Sequence, residues 1–412
     1  MLAEHSKNKK VFDNGFQIAK NADLASKKYG QKNVINGTLG IFYNDNEEMH
    51  TLDIVNKEYK NLSDKELFNY SSSISGEERF IEAVKQYVLG KNYSNNLDNN
   101  FLEVIATPGG SGAIYNTFRN YINPGEVVLL PNYMWSSYKL MSKEVGGGFQ
   151  TYSLFNNRGK FDLVNFENSV IELAKIQKNL VIVLNNPCHN PTGYTMSTSE
   201  VKGVMEILRA ACSLCNIILI NDIAYMDFNN KVNNFRDFYQ DLPNNLLVII
   251  TFSMSKSFCC YGLRVGAQIA ISSSTETINS FLDASLYTCR SVWSNIPKGG
   301  MTLFSNIVLD KKKYKQLLLE QSYMKNMLKE RTDIFLDEAA SVNLKTLPYK
   351  SGFFITIPFE NMSDEKMADK LKDENIFTII IPGAIRLAVC SIPKYKIYGL
   401  AKTLKNIITT NC

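Results

Sequence analysis

Histidine is almost missing from this sequence: three in 412 residues, His5, His50 and His189. A histidine-based zinc site or a Ser-His-Asp triad would have to be assembled around His189 nearly alone, so no metal is expected. Proton transfer in this chain therefore falls to Lys, Asp, Glu, Tyr or Cys. Long apolar runs are lacking too. No run of about 18 apolar residues occurs, which excludes a membrane-spanning helix, and the opening MLAEHSKNKKVFDNGF has no apolar signal-peptide core. A cytoplasmic protein without a membrane partner is expected.

An excess of one charge is also absent. Lys plus Arg is 45 against Asp plus Glu 40, a balance of +5. The longest basic clusters, Lys7-Asn8-Lys9-Lys10 and Lys311-Lys312-Lys313, read as solvated faces, so nucleic acid is not an expected partner. The eight cysteines, Cys188, Cys212, Cys215, Cys259, Cys260, Cys289, Cys390 and Cys412, include no two matching CxxC pairs. Cys212 and Cys215 have that spacing once, between two apolar segments. Without an export signal all eight read as reduced core or pocket thiols.

What is present is an alternation. Apolar runs at Phe101–Ala106, Val127–Leu130, Leu180–Leu184, Ile217–Ile220, Leu246–Thr251 and Ala267–Ile271 are separated by helical patterns. Continuous apolar runs of this length suit a buried parallel sheet. Ser197 and Glu200 form a capping box ahead of the amphipathic run Val201–Cys212. The pattern is that of a doubly wound α/β fold, which gathers ligands at the carboxyl ends of its strands. After Pro297 the character changes to a long helical pattern over about 300–340, then strands near Phe353–Ile357 and Arg386–Cys390 and a closing helix near Lys394–Ile408. We read a large, mostly parallel sheet domain over 51–305. A smaller α+β domain is formed by both chain ends, 1–50 and 306–412. The segment 91–100 (KNYSNNLDNN) reads as a surface loop.

Four motifs follow predicted strands. Thr107-Pro108-Gly109-Gly110-Ser111-Gly112-Ala113 precedes a helical run, where bare backbone N–H groups and a helix N-terminus favour an anion; alone it reads better as a simple tight turn. Asn185-Asn186-Pro187-Cys188-His189-Asn190-Pro191-Thr192-Gly193 is a rigid loop able to aim the Asn190 amide into a cleft, with His189 read as packed or hydrogen-bonded. Asn221-Asp222-Ile223-Ala224-Tyr225 ends an apolar strand on a carboxylate that needs an N–H or cationic partner if buried; alone, such an Asp is a helix cap. Thr251-Phe252-Ser253-Met254-Ser255-Lys256-Ser257-Phe258 runs into Gly262-Leu263-Arg264-Val265-Gly266. A lysine flanked by serines and apolar residues is open to desolvation, which lowers its pKa and permits Schiff-base chemistry. Arg264 and the serine hydroxyls suit a phosphate.

In this order, the four motifs resemble the fold-type I pyridoxal-phosphate (PLP) aminotransferases of class I/II, the group of aspartate and aromatic aminotransferases. The resemblance runs from about Phe16 to Ile407. It implies PLP linked to Lys256, with Asp222 facing the pyridine nitrogen and Tyr225 and Asn190 hydrogen-bonding the ring oxygen. Gly110, Ser111, Ser253 and Arg264 would hold the phosphate, and Trp135 or Tyr133, in Pro131–Tyr138, would stack on the ring. Arg386 matches the arginine that takes the substrate α-carboxylate, and Gly40 the glycine that approaches the substrate. Arg290, in Arg290–Asn295, resembles an arginine reaching a distal carboxylate from the partner subunit. Tyr70, in Phe68-Asn69-Tyr70, resembles a tyrosine reaching the neighbour's phosphate. Those two matches imply a homodimer with shared active sites.

The implied reaction is a ping-pong transfer between an L-amino acid (aspartate, glutamate or aromatic) and a 2-oxo acid such as 2-oxoglutarate, with Lys256 moving the proton. The same residues around the cofactor also suit a PLP-dependent carbon–sulfur lyase. A non-catalytic amino-acid or PLP sensor is the third reading. It sits poorly with the roughly 15 residues ahead of the family-like region, too few for a winged-helix module.

Overall fold

In a computed structural model, the described residues are 1–410 apart from 8, 12–14, 94–96, 98–99 and 231–234. Much of the expected loop at 91–100, and Cys412, lie outside them.

The large sheet follows from the apolar runs. Its strands are β2 (Phe101–Thr107), β3 (Val127–Pro131), β4 (Gly148–Tyr152), β5 (Asn179–Asn185), β6 (Asn216–Asp222), β7 (Leu246–Ser253) and β8 (Gly266–Ser272), in the order β2-β8-β7-β6-β5-β3-β4. Successive side chains leave a strand on opposite faces, and the two faces feed two separate cores. Ile217, Leu219, Val248 and Ile250 join the core beneath helices Leu163–Ala174 and Thr198–Ala211. Their neighbours Ile218, Ile220, Leu247 and Ile249 join the one beneath helices Gly109–Tyr121 and Thr275–Val292. A strand buried on both faces needs a continuous apolar run, which is why periodicity found these strands. β4 is half-covered along most of its length, carries polar residues and was missed.

One strand departs from the parallel pattern. β8 runs antiparallel to both β2 and β7, with Gly266 opposite Thr107 on one side and Ser253 on the other. The start of β8 therefore lies at the same edge as the ends of its neighbours.

The second sheet has the order β1-β10-β11-β9, with β1 (Ile35–Gly37) parallel to β10 (Ile376–Ile381), followed by β11 (Ala384–Ala388) and β9 (Phe354–Pro358). Both chain ends thus contribute strands to this sheet. The 300–340 pattern is two helices, Lys298–Val308 and Lys311–Ser341, because the Asp310 carboxylate accepts from the N–H groups of Lys312 and Lys313 and starts a new helix. The closing pattern likewise divides into Lys394–Ile397 and Leu400–Thr409.

Candidate active site

A cavity of about 670 Å³ opens where β2, β3, β5, β6 and β7 end, and residues of the second sheet close its other side. Its lining includes Gly110, Ser111, Trp135, Asn190, Asp222, Tyr225, Ser253, Lys256 and Arg264, together with Gly40 and Arg386 from the opposite side. Residues separated by hundreds of positions in the chain therefore face one space.

Lys256 sits on the short helix Met254–Ser257, which begins at once after β7. The Ser253 hydroxyl oxygen accepts from the Ser255 N–H at 3.2 Å and turns the strand into that helix. The lysine Nζ donates to the Gly40 carbonyl at 2.7 Å and lies 5.8 and 4.9 Å from the ring centres of Tyr225 and Tyr261. Burial, reinforced by the Arg386 and Arg264 charges, lowers its pKa to about 8. A neutral amine is then available near physiological pH.

Asp222 ends β6 and is buried. Tyr138 donates to its Oδ2 at 2.6 Å, and the Ala224 N–H donates to Oδ1 at 3.1 Å. Burial raises the carboxyl above its ordinary value while these bonds pull it back. Tyr225 is buried against Phe353 and Phe354, with ring centres at 5.3 and 5.6 Å, and burial raises its phenol. Asn190 is fixed from below: its N–H donates to Asn185 Oδ1 at 2.6 Å, while Asn185 Nδ2 donates to the Asp222 carbonyl at 2.8 Å. His189 points elsewhere. Its Nδ1 pairs with the Thr192 hydroxyl at 2.9 Å and burial lowers its pKa to about 3, so it is a neutral, packed histidine.

The anion site is assembled by the reversed strand. Arg264 precedes β8, and the antiparallel direction brings it to the N-terminus of helix Gly109–Tyr121. Gly109 has φ +68°, and a Cβ there would stand 2.9 Å from Arg264 Nη2. Only glycine allows the guanidinium this close. The Arg264 Nη1 donates to the Tyr261 carbonyl at 2.9 Å. Arginine, serine hydroxyls and helix N–H groups converge, a donor set that fits a phosphate. A Cβ at Gly40 would meet the Phe354 ring at 2.8 Å and Lys256 Nζ at 3.4 Å, so glycine is required there as well. Across the cavity, Arg386 donates to the Thr38 carbonyl at 2.7 Å and to Asn190 Oδ1 at 3.4 Å, its guanidinium 4.6 Å from the Phe354 ring centre.

Trp135 lines the cavity and meets Tyr138 edge-on at 5.5 Å, whereas Tyr133 packs against the main core. Tyr70 and Arg290 are not among the lining residues. Tyr70 is 83% exposed, and Arg290 is exposed and bonded to Ser294 on the outside. Sequence reasoning passed over Tyr138, Asn185, Tyr261 and Phe354. The first two lie inside quoted motifs, undistinguished there. Tyr261 and Phe354 carry no local signal, because only the tertiary fold brings them to Lys256 and Arg386.

Residues 32–404 match the family described as aminotransferase class I and II. An aspartate aminotransferase of Sulfurisphaera tokodaii is 28% identical over 291 residues, 69% of this chain and 67% of that protein. An aminotransferase of Anaerococcus prevotii superposes with TM-score 0.93 at 30% identity, over 99% of both chains. The fold is also that of an aromatic-amino-acid aminotransferase from Burkholderia pseudomallei covalently bound to pyridoxal phosphate, at TM-score 0.80 and 18% identity over 99% of this chain and 100% of that one.

Proposed function

The chain belongs to the class I and II aminotransferases, which are PLP enzymes, and from that premise we propose that Lys256 is the proton carrier of an amino-group transfer. The donor is an L-amino acid (aspartate, glutamate or aromatic) and the acceptor a 2-oxo acid such as 2-oxoglutarate. The observation that carries this reading is the meeting, in one cavity, of a half-buried lysine of lowered pKa with a buried, hydrogen-bonded carboxylate.

The residues present fit the cofactor. Gly110, Ser111, Ser253 and Arg264 would hold its phosphate, and Asp222 would face the pyridine nitrogen, where a cation relieves the cost of burying that carboxylate. Tyr225 and Asn190 would hydrogen-bond the ring oxygen, and Trp135 would cover the ring. When bound, PLP supplies the electron sink for charge developing at the substrate α-carbon. Arg386 offers a planar fork for the substrate α-carboxylate and so fixes which bond faces Lys256. Lys256, deprotonated in an appreciable fraction near pH 7–8, takes the α-proton, and its tether keeps it within reach to return that proton.

We also propose a homodimer in which Tyr70 and Arg290 enter the neighbour's site, each chain having a large domain over 51–305 and a small one over 306–412 that residues 1–50 help to form. Support comes from the outside of the chain. Tyr70 stands beside exposed Phe68, Arg290 lies between exposed Tyr287 and Val292, and the stretches that carry Tyr70 and Arg290 are tied by Asn295 Nδ2 donating to the Ser71 carbonyl at 3.3 Å. Exposed apolar side chains clustered around a charged group fit contact with a second copy.

The test is a panel of amino donors against 2-oxoglutarate, run beside pyruvate release from cysteine-type substrates. Amino transfer at a visible imine absorbance, lost in Lys256→Ala, is the expected result. Pyruvate release without transfer would convert the assignment to a lyase, and retained activity in Lys256→Ala would overturn it.

A further inference from the structure

Tyr261 has no part in the assignments above, yet it touches three of the structures that surround Lys256. Its ring centre lies 4.9 Å from Lys256 Nζ. Its hydroxyl oxygen accepts from the Phe42 N–H at 2.9 Å, across 219 positions of sequence. Its carbonyl accepts from Arg264 Nη1 at 2.9 Å. Phe42 is two residues from Gly40, whose carbonyl takes the hydrogen bond of Lys256 Nζ at 2.7 Å. These contacts close a ring: Lys256 to Gly40, along the backbone to Phe42, across to the Tyr261 hydroxyl, and back through the loop to Lys256.

The ring is not held by local structure. Cys259 and Arg264, on either side of Tyr261, both have positive φ, at 54° and 52°. Residues 38–42 contribute no strand beyond Gly37, and an isolated bridge joins Tyr43 to Met49. The Tyr43 N–H bonds to the Cys390 carbonyl and Tyr261 takes the N–H of Phe42, so the segment is pinned from both sides, by the turn that follows β11 and by the Lys256 loop. Deleting the Tyr261 oxygen leaves the Phe42 N–H without its acceptor and frees the segment on the side facing the lysine.

We propose that Tyr261 is a positioning residue for the proton transfer. It holds the Gly40 carbonyl where that carbonyl orients the free Lys256 amine, with the amine's lone pair turned to the cavity. The inference rests on the assignment of Lys256 as proton carrier. Tyr261 acts in two separable ways: through the oxygen, on the Gly40–Phe42 segment, and through the ring, whose face stands 4.9 Å from the amine and limits where it can swing.

Two variants separate these. Tyr261→Phe keeps the ring and removes the acceptor; Tyr261→Leu removes both. In Tyr261→Phe we expect cofactor content and melting temperature close to the parent's, KM within twofold, and kcat lowered about tenfold, the scale of one positioned hydrogen bond. The isotope effect of an α-deuterated donor should rise, because the proton step becomes more limiting. Independently of turnover, return of the visible band after PLP is added to the stripped full-length chain should slow several-fold, since the same amine must attack. Tyr261→Leu should exceed Tyr261→Phe in both measurements.

Kinetics of Tyr261→Phe within twofold of the parent would overturn the inference. So would a fall in kcat matched by loss of cofactor or of folded protein, or a change confined to KM. Lys256→Ala is the control: if it retains turnover, the assignment of Lys256 fails, whereas an inactive Lys256→Ala beside an unaffected Tyr261→Phe removes the role of Tyr261 alone.

Discussion

At the floor of the cavity, Asp222 accepts from Tyr138 at 2.6 Å and Lys256 donates to Gly40 at 2.7 Å, each inside a web of partners from the same chain. On the outside of the chain, Tyr70 and Arg290 stand exposed, and Arg290 donates to Ser294, just past the end of its own helix. The floor carries buried polar groups, whose desolvation must be offset by fixed hydrogen bonds. Such groups tolerate little change and sit in motifs. The outer residues meet water in the single chain, so their geometry there states no function, and in our reading it is completed by a second copy. The difference separates what one chain organises by itself from what we assign to an assembly.

That contrast breaks most visibly at Lys256. Lys256→Ala should lower turnover by about 10⁴-fold or more, since general base and anchoring are lost together; steady-state transfer to 2-oxoglutarate measures it. Arg290→Ala tests the other region. If the partner's cavity uses this guanidinium, kcat/KM for dicarboxylic donors should fall roughly 10²-fold while aromatic donors change little, as expected for removing one partner of a desolvated charge pair. An equal loss for all donors would place Arg290 outside the site. A smaller effect, about tenfold in PLP affinity, is expected for Tyr138→Phe, which leaves Asp222 one donor short and raises its pKa further. A pH series of PLP binding should show the acid-side loss moving to higher pH.

The smallest effects are on stability, and the two floor residues should oppose each other. The Asp222 carboxyl is raised in the folded chain, so its ionised form costs stability at neutral pH, and that cost is relieved as pH falls through the folded value. Stripped Asp222→Asn protein should therefore melt slightly above the stripped parent at pH 7. The Lys256 amine is lowered to about 8 from 10.5, so its ammonium form costs stability below about 8, and the cost is relieved as pH rises from there toward 10.5. Stripped Lys256→Met should lack that alkaline gain. Melting curves of the stripped proteins across pH check both signs.

Legibility in the sequence followed burial. β5, β6 and β7 announce themselves because sheet strands covered on both faces are apolar throughout. Asp222, Asn190, Lys256 and Arg264 follow such strands or precede one, within quoted motifs, and the cavity brings them together. The direction of β8 was not readable, because an antiparallel strand in a doubly covered sheet has the same composition as a parallel one. β1, three residues long, has no period to detect. Tyr138 was in view without a reason to choose it, since a phenol 84 positions before Asp222 becomes its donor only after the sheet is assembled. Tyr261 depends on a contact across 219 positions and was invisible.

The pairing of β1 with β10 has a consequence for the order in which the chain can be completed. Ile35 is made early and waits for Ile376, its partner in register. During synthesis the large sheet, whose last strand ends at Ser272, can close while the second sheet still lacks three of its four strands. Arg386 lies on β11, beyond that wait. The nascent chain therefore has Lys256 and Arg264 well before it has Arg386, and formation of the second sheet, which must join Ile35 to Ile376, is the slow step we expect in refolding.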